Sequence, residues 1–370
     1  MTKESDIPDE PLEDFQVDLA EEGVEDESEK EPENIVRFNI SSYGADYTVD
    51  SLVKRLRTGA FFVPPFQRSY VWNRNQASRF IESLLLGLPV PGVFLYKEPD
   101  TNRHLVIDGQ QRLKTLQFYF DGTFLERKFR LVNISERWAN KTIDDLEEAD
   151  RLKLEDSIVH ATIFHQDEPK DNDHSIYYVF ERINTGGIRL SSQEIRVCLS
   201  YGSFVELLQS LNQHEQWRKI YGAPSKRLKD QELILRFFAF FYSDKDIKYE
   251  RPMSLFLNNF MTLHRKLEKR PPEEFRSTFV RAIDVINDVI GAKAFRPTRS
   301  LNAAVFDSVM VALARRLERG PLTKPDTLST QYAALLSDKE YQDSITQSTS
   351  TEQRVLTRMT LAQTYISKIE

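Results

Sequence analysis

The spacing of apolar positions divides the chain near its middle. Up to about Phe164, helical and extended signals alternate. Asp50–Leu56 has helical spacing with Asp50 or Ser51 as its cap, and Gln76–Leu86 sets Phe80, Leu84 and Leu85 on one side. Phe61-Phe62-Val63 is a short apolar run ending at Pro64-Pro65, where the chain must be extended because proline fixes φ and restrains its predecessor. Val93–Tyr96 and Leu105–Ile107 predict two strands around a turn at Asp100–Arg103, Leu113–Phe120 predicts a helix, and Ala161–Phe164 another strand. After residue 174 the pattern is almost wholly helical. It predicts helices at Ser175–Ile183, Gln193–Leu211, Asp230–Tyr242, Met253–Lys269, Glu273–Ile290, Leu301–Arg319, Ser329–Leu336 and Thr351–Ile369. Pro271-Pro272 suits a helix start and Gly320-Pro321 a stop. Phe237–Phe241, apolar all round, predicts a buried helix in a bundle rather than a platform for stacking bases.

The expected class is therefore α+β, with a mixed domain over residues 35–199 and a mostly helical one over 200–370. Residues 1–34 differ from both: 15 acidic and two basic side chains, few large apolar groups and several prolines give them the composition of a disordered tail. Such a tail could aid solubility or mimic nucleic acid. Outside it, residues 35–199 balance at 22 charges of each sign, and an excess of six positive charges falls in residues 200–370. That half could face an anionic partner such as DNA. No apolar run of about 18 residues is present, so no membrane span is expected, and the acidic start lacks a secretory pattern. Cys198 is the lone cysteine, which leaves no disulfide framework and no cysteine-based zinc site. A cytoplasmic protein is the expectation.

Three segments could carry chemistry. In Leu105-Val106-Ile107-Asp108-Gly109-Gln110-Gln111-Arg112-Leu113 a strand runs through a glycine turn into a helix. Asp108 is expected to cap that helix, with Gln111 completing a capping-box spacing. Free amides at a helix start form an anion site, and Arg112 adds a fork for phosphate oxygens. The alternative is a capped helix whose Arg112 pairs a carboxylate. In Val63-Pro64-Pro65-Phe66-Gln67-Arg68-Ser69-Tyr70-Val71-Trp72-Asn73, Gln67 and Arg68 lie among large aromatics, as a clamp for a base or phosphate or as an aromatic plug on the sheet. The third, Val179–Glu194, contains Asn184, then Gly186-Gly187, then Ser191 with Glu194 as a capping box. It reads as an anion-binding nest or as a plain corner between helices.

Taken together, in this order and spacing, these segments resemble the GmrSD-type restriction-endonuclease N-terminal domain. That family carries a P-x-F-Q-R-x-Y-x-W segment, a D-G-Q-Q-R turn and an F-x-R-I-N-T-G-G-x-x-L-S-x-x-E corner. The resemblance covers about residues 40–200 and implies a core like that of ParB and sulfiredoxin, with phosphates held at the turn-to-helix junction. It implies a site for a nucleoside triphosphate at Asp108, Gly109, Gln110, Gln111 and Arg112, with Gln67 and Arg68 beside it and Asn184, Gly186 and Gly187 at its rim. Asp108, Gln111 and Arg112 would act in hydrolysis if the site is an NTPase, with Mg²⁺ as a companion ion, in defence against phage DNA.

The chain departs from full-length members, many of which end in a His-Asn-His nuclease domain. Residues 200–370 contain only His214 and His264, each isolated and expected at the surface or in the core. Asp144–Asp150 reads as a solvated helix start, and His165–His174 as a polar loop. No metal site is expected, and no nuclease activity of the chain alone. Three readings stay open: a nucleotide-dependent defence module, an adaptor that recruits a separate nuclease subunit, and a ParB-like nuclease using Asp108 with a divalent ion. A homo-oligomer is compatible with each.

Overall fold

Residues 24–25, 39–63, 70–98, 102–168, 179 and 191–370 are described by the computed structural model. In chain order they form β1 (Val24–Glu25), β2 (Asn39–Thr48), α1 (Val49–Arg57), β3 (Phe61–Phe62), α2 (Arg74–Leu86), β4 (Val93–Lys97), β5 (His104–Asp108), α3 (Gln110–Phe120), β6 (Thr123–Phe124), β7 (Arg127–Lys128), α4 (Glu148–Asp156) and β8 (Ile158–Glu168). Helices follow: α5 (Ser192–Leu199), α6 (Ser203–Asn212), α7 (Glu215–Tyr221), α8 (Lys229–Phe241), α9 (Met253–His264) and α10 (Pro272–Val289). After the short β9 (Leu301–Asn302) come α11 (Ala303–Leu317), α12 (Asp326–Ser337), α13 (Lys339–Thr346) and α14 (Glu352–Ile366). The fold is α+β, as expected. Among the described residues no helix is long and apolar enough to cross a membrane.

The chain divides into two compact units. One is built from the described residues of Glu29–Asn212 and Lys226–Thr278, the other from those of Met1–Ser28, Gln213–Ser225 and Phe279–Glu370. In the first unit a five-stranded sheet runs in the order β2-β8-β4-β5-β3. β2 is antiparallel to β8, β4 antiparallel to β5, while β4–β8 and β3–β5 are parallel. Side chains alternate across a strand, and both faces are used. Val93, Leu95, Val106, Val159, Ala161 and Ile163 pack with α1, α2, α3 and α4 residues in one core. Tyr96, Leu105, Ile107 and Phe164 face the other way, onto Ile195, Cys198 and Leu199 of α5.

Local chemistry explains several boundaries. Asn73 and Gln76 form a reciprocal capping box at the start of α2, and Gly87, left-handed at φ 77°, ends it. α1 is capped by Thr48, whose side chain accepts from the Ser51 amide, so the cap lies earlier than Asp50 or Ser51. The single helix expected over Gln193–Leu211 is two, α5 and α6. Arg265 stands at the break, donating to the Tyr201 carbonyl while its own carbonyl accepts from the Phe204 amide. In α8, Phe237, Phe238, Ala239, Phe240 and Phe241 are all buried, which bears out the bundle-core reading. The strand expected at Ala161–Phe164 extends over Ile158–Glu168, so His165–Glu168 lie in β8 rather than in a loop. In Asp144–Asp150 the helix starts at Glu148, and Asp144, Asp145, Glu147 and Glu148 are solvated as expected. Asp150, however, is buried, gripped by Arg137 Nε and Nη2 at 3.0 and 2.7 Å and by Trp138 Nε1 at 2.7 Å.

The second unit gathers α7, most of α10 and everything from β9 to α14. Within it Trp217 is fully buried against Phe279 and Phe306. Val24–Glu25, in the stretch expected to be a tail, pair in parallel with Leu301–Asn302.

Candidate functional site

The Asp108–Arg112 turn takes its shape from a shift in strand register. β4 and β5 pair as Tyr96↔Leu105 and Leu95↔Val106, and then as Phe94↔Asp108, so one extra β5 residue is accommodated at the end. Such a bulge re-aims a side chain: Asp108 stands opposite Phe94 at the edge of the α3 junction. Gly109 follows with φ 95°, in the left-handed region that costs an L-residue strain. A Cβ there would lie 2.5 Å from Val93 Cγ1 and 3.2 Å from Arg112 Nη2, so glycine is required on two counts.

Asp108 does not cap α3. The N-cap is Gly109, which has no side chain to bond the first-turn amides, and Asp108 lies one residue before it. Its Oδ2 instead accepts from Arg112 Nη2 at 2.8 Å, one turn along the helix. The same Nη2 reaches the Gly92 carbonyl at 3.0 Å. Arg112 Nε is buried and has no hydrogen-bond partner among the described residues. The junction thus combines first-turn amides that no intrahelical carbonyl can satisfy, a helix dipole favouring anions, and a guanidinium with one donor unmatched.

Gln111 faces a different way. Its Oε1 accepts from the Val71 and Trp72 amides at 3.0 and 3.3 Å, which ties the end of the proline-led segment to α3. Tyr70 is fixed to the same helix through Thr115 at 2.6 Å, and burial pushes its hydroxyl up to about 12 although the Thr115 bond works against the rise. Two of the three segments picked out in the sequence therefore meet at one helix. Of the other expected site residues, Gln110 opens α3. Gln67, Arg68, Asn184, Gly186 and Gly187 lie outside the described residues.

The end of the third segment is present. Ser191 and Glu194 form the expected capping box, and Glu194 pairs with Arg227 at 3.0 Å. Behind it Arg196 bonds to Gln193, Glu232 and Asn258, all buried. Burial works to raise the Glu232 carboxyl, but Lys229, Arg196 and Arg236 outweigh it and hold it below its ordinary value. This network joins α5, α8 and α9, and thereby braces the helix that covers the second face of the sheet. His264 is fully buried on Asp246 at 3.0 Å, and His214 lies on Asp284 at 2.6 Å. Among the described residues no three His, Cys, Asp or Glu side chains are grouped to hold a metal ion.

Sequence reasoning passes over Asp46 and His160. They stand opposite each other on β2 and β8, His160 Nδ1 lies 2.8 Å from Asp46 Oδ1, and both side chains are exposed. A separation of 114 residues hides the pair from any local motif.

Residues 49–201 match the family model described as GmrSD restriction endonuclease, N-terminal domain. No curated protein matches the chain.

Proposed function

We propose, starting from a chain that carries a GmrSD restriction-endonuclease N-terminal domain over residues 49–201, that the start of α3 binds the phosphates of a nucleoside triphosphate. The domain match points to a restriction-type phage-defence protein. The observation that carries the finer reading is the buried Nε of Arg112, without a hydrogen-bond partner among the described residues, beside a helix whose N-cap is a glycine. An unsatisfied buried donor is costly, and a phosphate oxygen would satisfy it together with the first-turn amides. Asp108 holds the guanidinium in place from one side and Gly92 from another. Gln111 contributes by positioning the Tyr70–Trp72 segment, with Gln67 and Arg68 upstream of it. In this reading Mg²⁺ accompanies the nucleotide, DNA is the target, and cutting is supplied by a partner nuclease.

Calorimetry with each ribonucleoside triphosphate tests the phosphate site. Arg112→Ala should weaken binding about 10- to 100-fold, the weight of one hydrogen bond to a charged group. Unchanged affinity in that variant, at unchanged melting temperature, refutes the assignment. Release of phosphate by the wild type separates an NTPase from a nucleotide-binding adaptor.

A further inference from the structure

Among the described residues, α5 covers the second sheet face at the Tyr96, Leu105 and Phe164 end. At the other end the register lines up two rows of side chains across the strands. Gly44, Thr162, Phe94 and Asp108 form one row, through the pairs Gly44↔Thr162, Phe94↔Thr162 and Phe94↔Asp108. Asp46 and His160 stand in the next row, beside Gly92, which precedes the Val93↔Ala161 pair. A Cβ on Gly92 would lie 2.7 Å from the His160 carbonyl oxygen, so the two backbones touch. Gly92 also gives its carbonyl to Arg112. A continuous strip of surface therefore runs from the phosphate-binding turn across β4 to the Asp46–His160 pair, with half-buried Thr162 and Phe94 as its floor.

The far end of that strip is built rather than incidental. The His160 ring lies over Gly44, where a Cβ would fall 2.8 Å from Cε1 and 3.3 Å from Nε2. Asp46 holds Nδ1, and among the described residues Nε2 has no hydrogen-bond partner. The chemistry on offer is a carboxylate and an imidazole nitrogen; among the described residues no Lys or Arg pairs with Asp46. A carboxylate repels phosphate and accepts from hydroxyls, as acidic side chains do on the ribose of bound dinucleotides. Neighbouring strands stand about 4.8 Å apart, so β8 with His160 lies roughly 10 Å from β5 and β2 with Asp46 roughly 14 Å. The Asp46 carboxylate reaches back to His160 Nδ1, and a nucleoside triphosphate extends over such a span from its phosphates toward its sugar.

We propose that Asp46 and His160 form the sugar subsite of this nucleotide site, selecting ribonucleotides through their 2′- and 3′-hydroxyls. The inference rests on the phosphate reading above and adds the substrate class. Asp46 is the discriminating group. His160 is a positioning residue that holds the carboxylate and presents Nε2 to the second hydroxyl.

The test uses the full chain and four probes: the tightest-binding ribonucleoside triphosphate, its 2′-deoxy and 2′,3′-dideoxy counterparts, and inorganic tripolyphosphate. Wild type should prefer the ribonucleotide over the dideoxy form by about 10- to 100-fold, one or two hydrogen bonds to charged or dipolar groups. Asp46→Asn should lower ribonucleotide affinity toward the dideoxy level and leave dideoxy and tripolyphosphate binding unchanged. His160→Gln should narrow the preference in part. Arg112→Ala should weaken all four probes alike. A wild type that binds all three nucleotides equally, or an Asp46→Asn variant that keeps the full preference, overturns the sugar subsite while the phosphate reading stands. Loss of the preference in Asp46→Asn with Arg112→Ala indifferent to every probe supports the sugar subsite and removes the phosphate assignment. No binding of any probe by the wild type overturns both.

Discussion

Replacing Gly109 with alanine perturbs the candidate site at its narrowest point. The residue sits at φ 95°, and its added Cβ would stand 2.5 Å from Val93 Cγ1 and 3.0 Å from Val93 Cβ. Holding alanine in the left-handed region costs about 1–2 kcal/mol. Relieving the collision with a side chain that is only 1% exposed, at the start of a central strand, costs about 1–3 kcal/mol more. The expected loss is about 2–5 kcal/mol, a large share of the roughly 5–15 kcal/mol that holds an ordinary domain together. Urea unfolding followed by circular dichroism measures it. A double-mutant cycle then separates the two contributions: Val93→Ala removes the colliding methyls and leaves the backbone strain. The double variant should therefore lose at least about 1 kcal/mol less than the single losses combined, because residues in contact couple. A Gly109→Ala loss below about 1 kcal/mol, or additivity within about 0.5 kcal/mol, refutes the account of why glycine is needed at this turn.

Two further predictions concern buried charge. Asp150→Ala leaves the Trp138 indole N–H without its acceptor and Arg137 without its partner, so stability should fall by about 2–3 kcal/mol, with a shift in tryptophan emission as the check. Burial tends to raise the Asp246 carboxyl, but hydrogen bonds from Arg270 and Lys269 outweigh it and hold it at about 2, below its ordinary value of 3.8. A depressed carboxyl stabilises the fold above its unfolded value and loses that contribution as pH falls through the folded one. Stability attributable to Asp246 should thus be full above about pH 4 and fade toward pH 2, and an Asp246→Asn variant should show a flatter acid limb in a melting series.

What could be read in the sequence was local. The strand–turn–helix at Ile107–Leu113 and the Ser191–Glu194 capping box are encoded by neighbours a few residues apart, and both are present. The detail of Asp108 was misjudged because a capping-box spacing also fits an i,i+4 ion pair; Gly109's backbone conformation decided between them. β2 gave no signal. Asn39–Thr48 has only scattered apolar positions, and Ala45 and Tyr47 become half-buried through pairing with β8, more than a hundred residues away. The burial of Asp150 was equally hidden, since its partners Arg137 and Trp138 lie across a loop rather than on its helix. Asp46 and His160 share that limitation: only the sheet register makes them neighbours.

The order of the strands also sets an order of assembly. β4, β5 and α3 lie within residues 93–120, so the turn at Gly109 can close from nearby chain, with little loop entropy to overcome. β2 is made first of the five strands, yet among the described residues it pairs only with β8, and the contacting residues Thr48 and Ile158 are 110 positions apart. At a synthesis rate of about 5–20 residues per second, the β2 segment waits roughly 6–22 s for its partner to emerge from the ribosome. The nascent chain thus passes through a stage in which the Gly109 turn has its local geometry while Asp46 has nothing to face. β2, an edge strand, is the oldest part of the sheet and is enrolled only with β8, the last strand to be made.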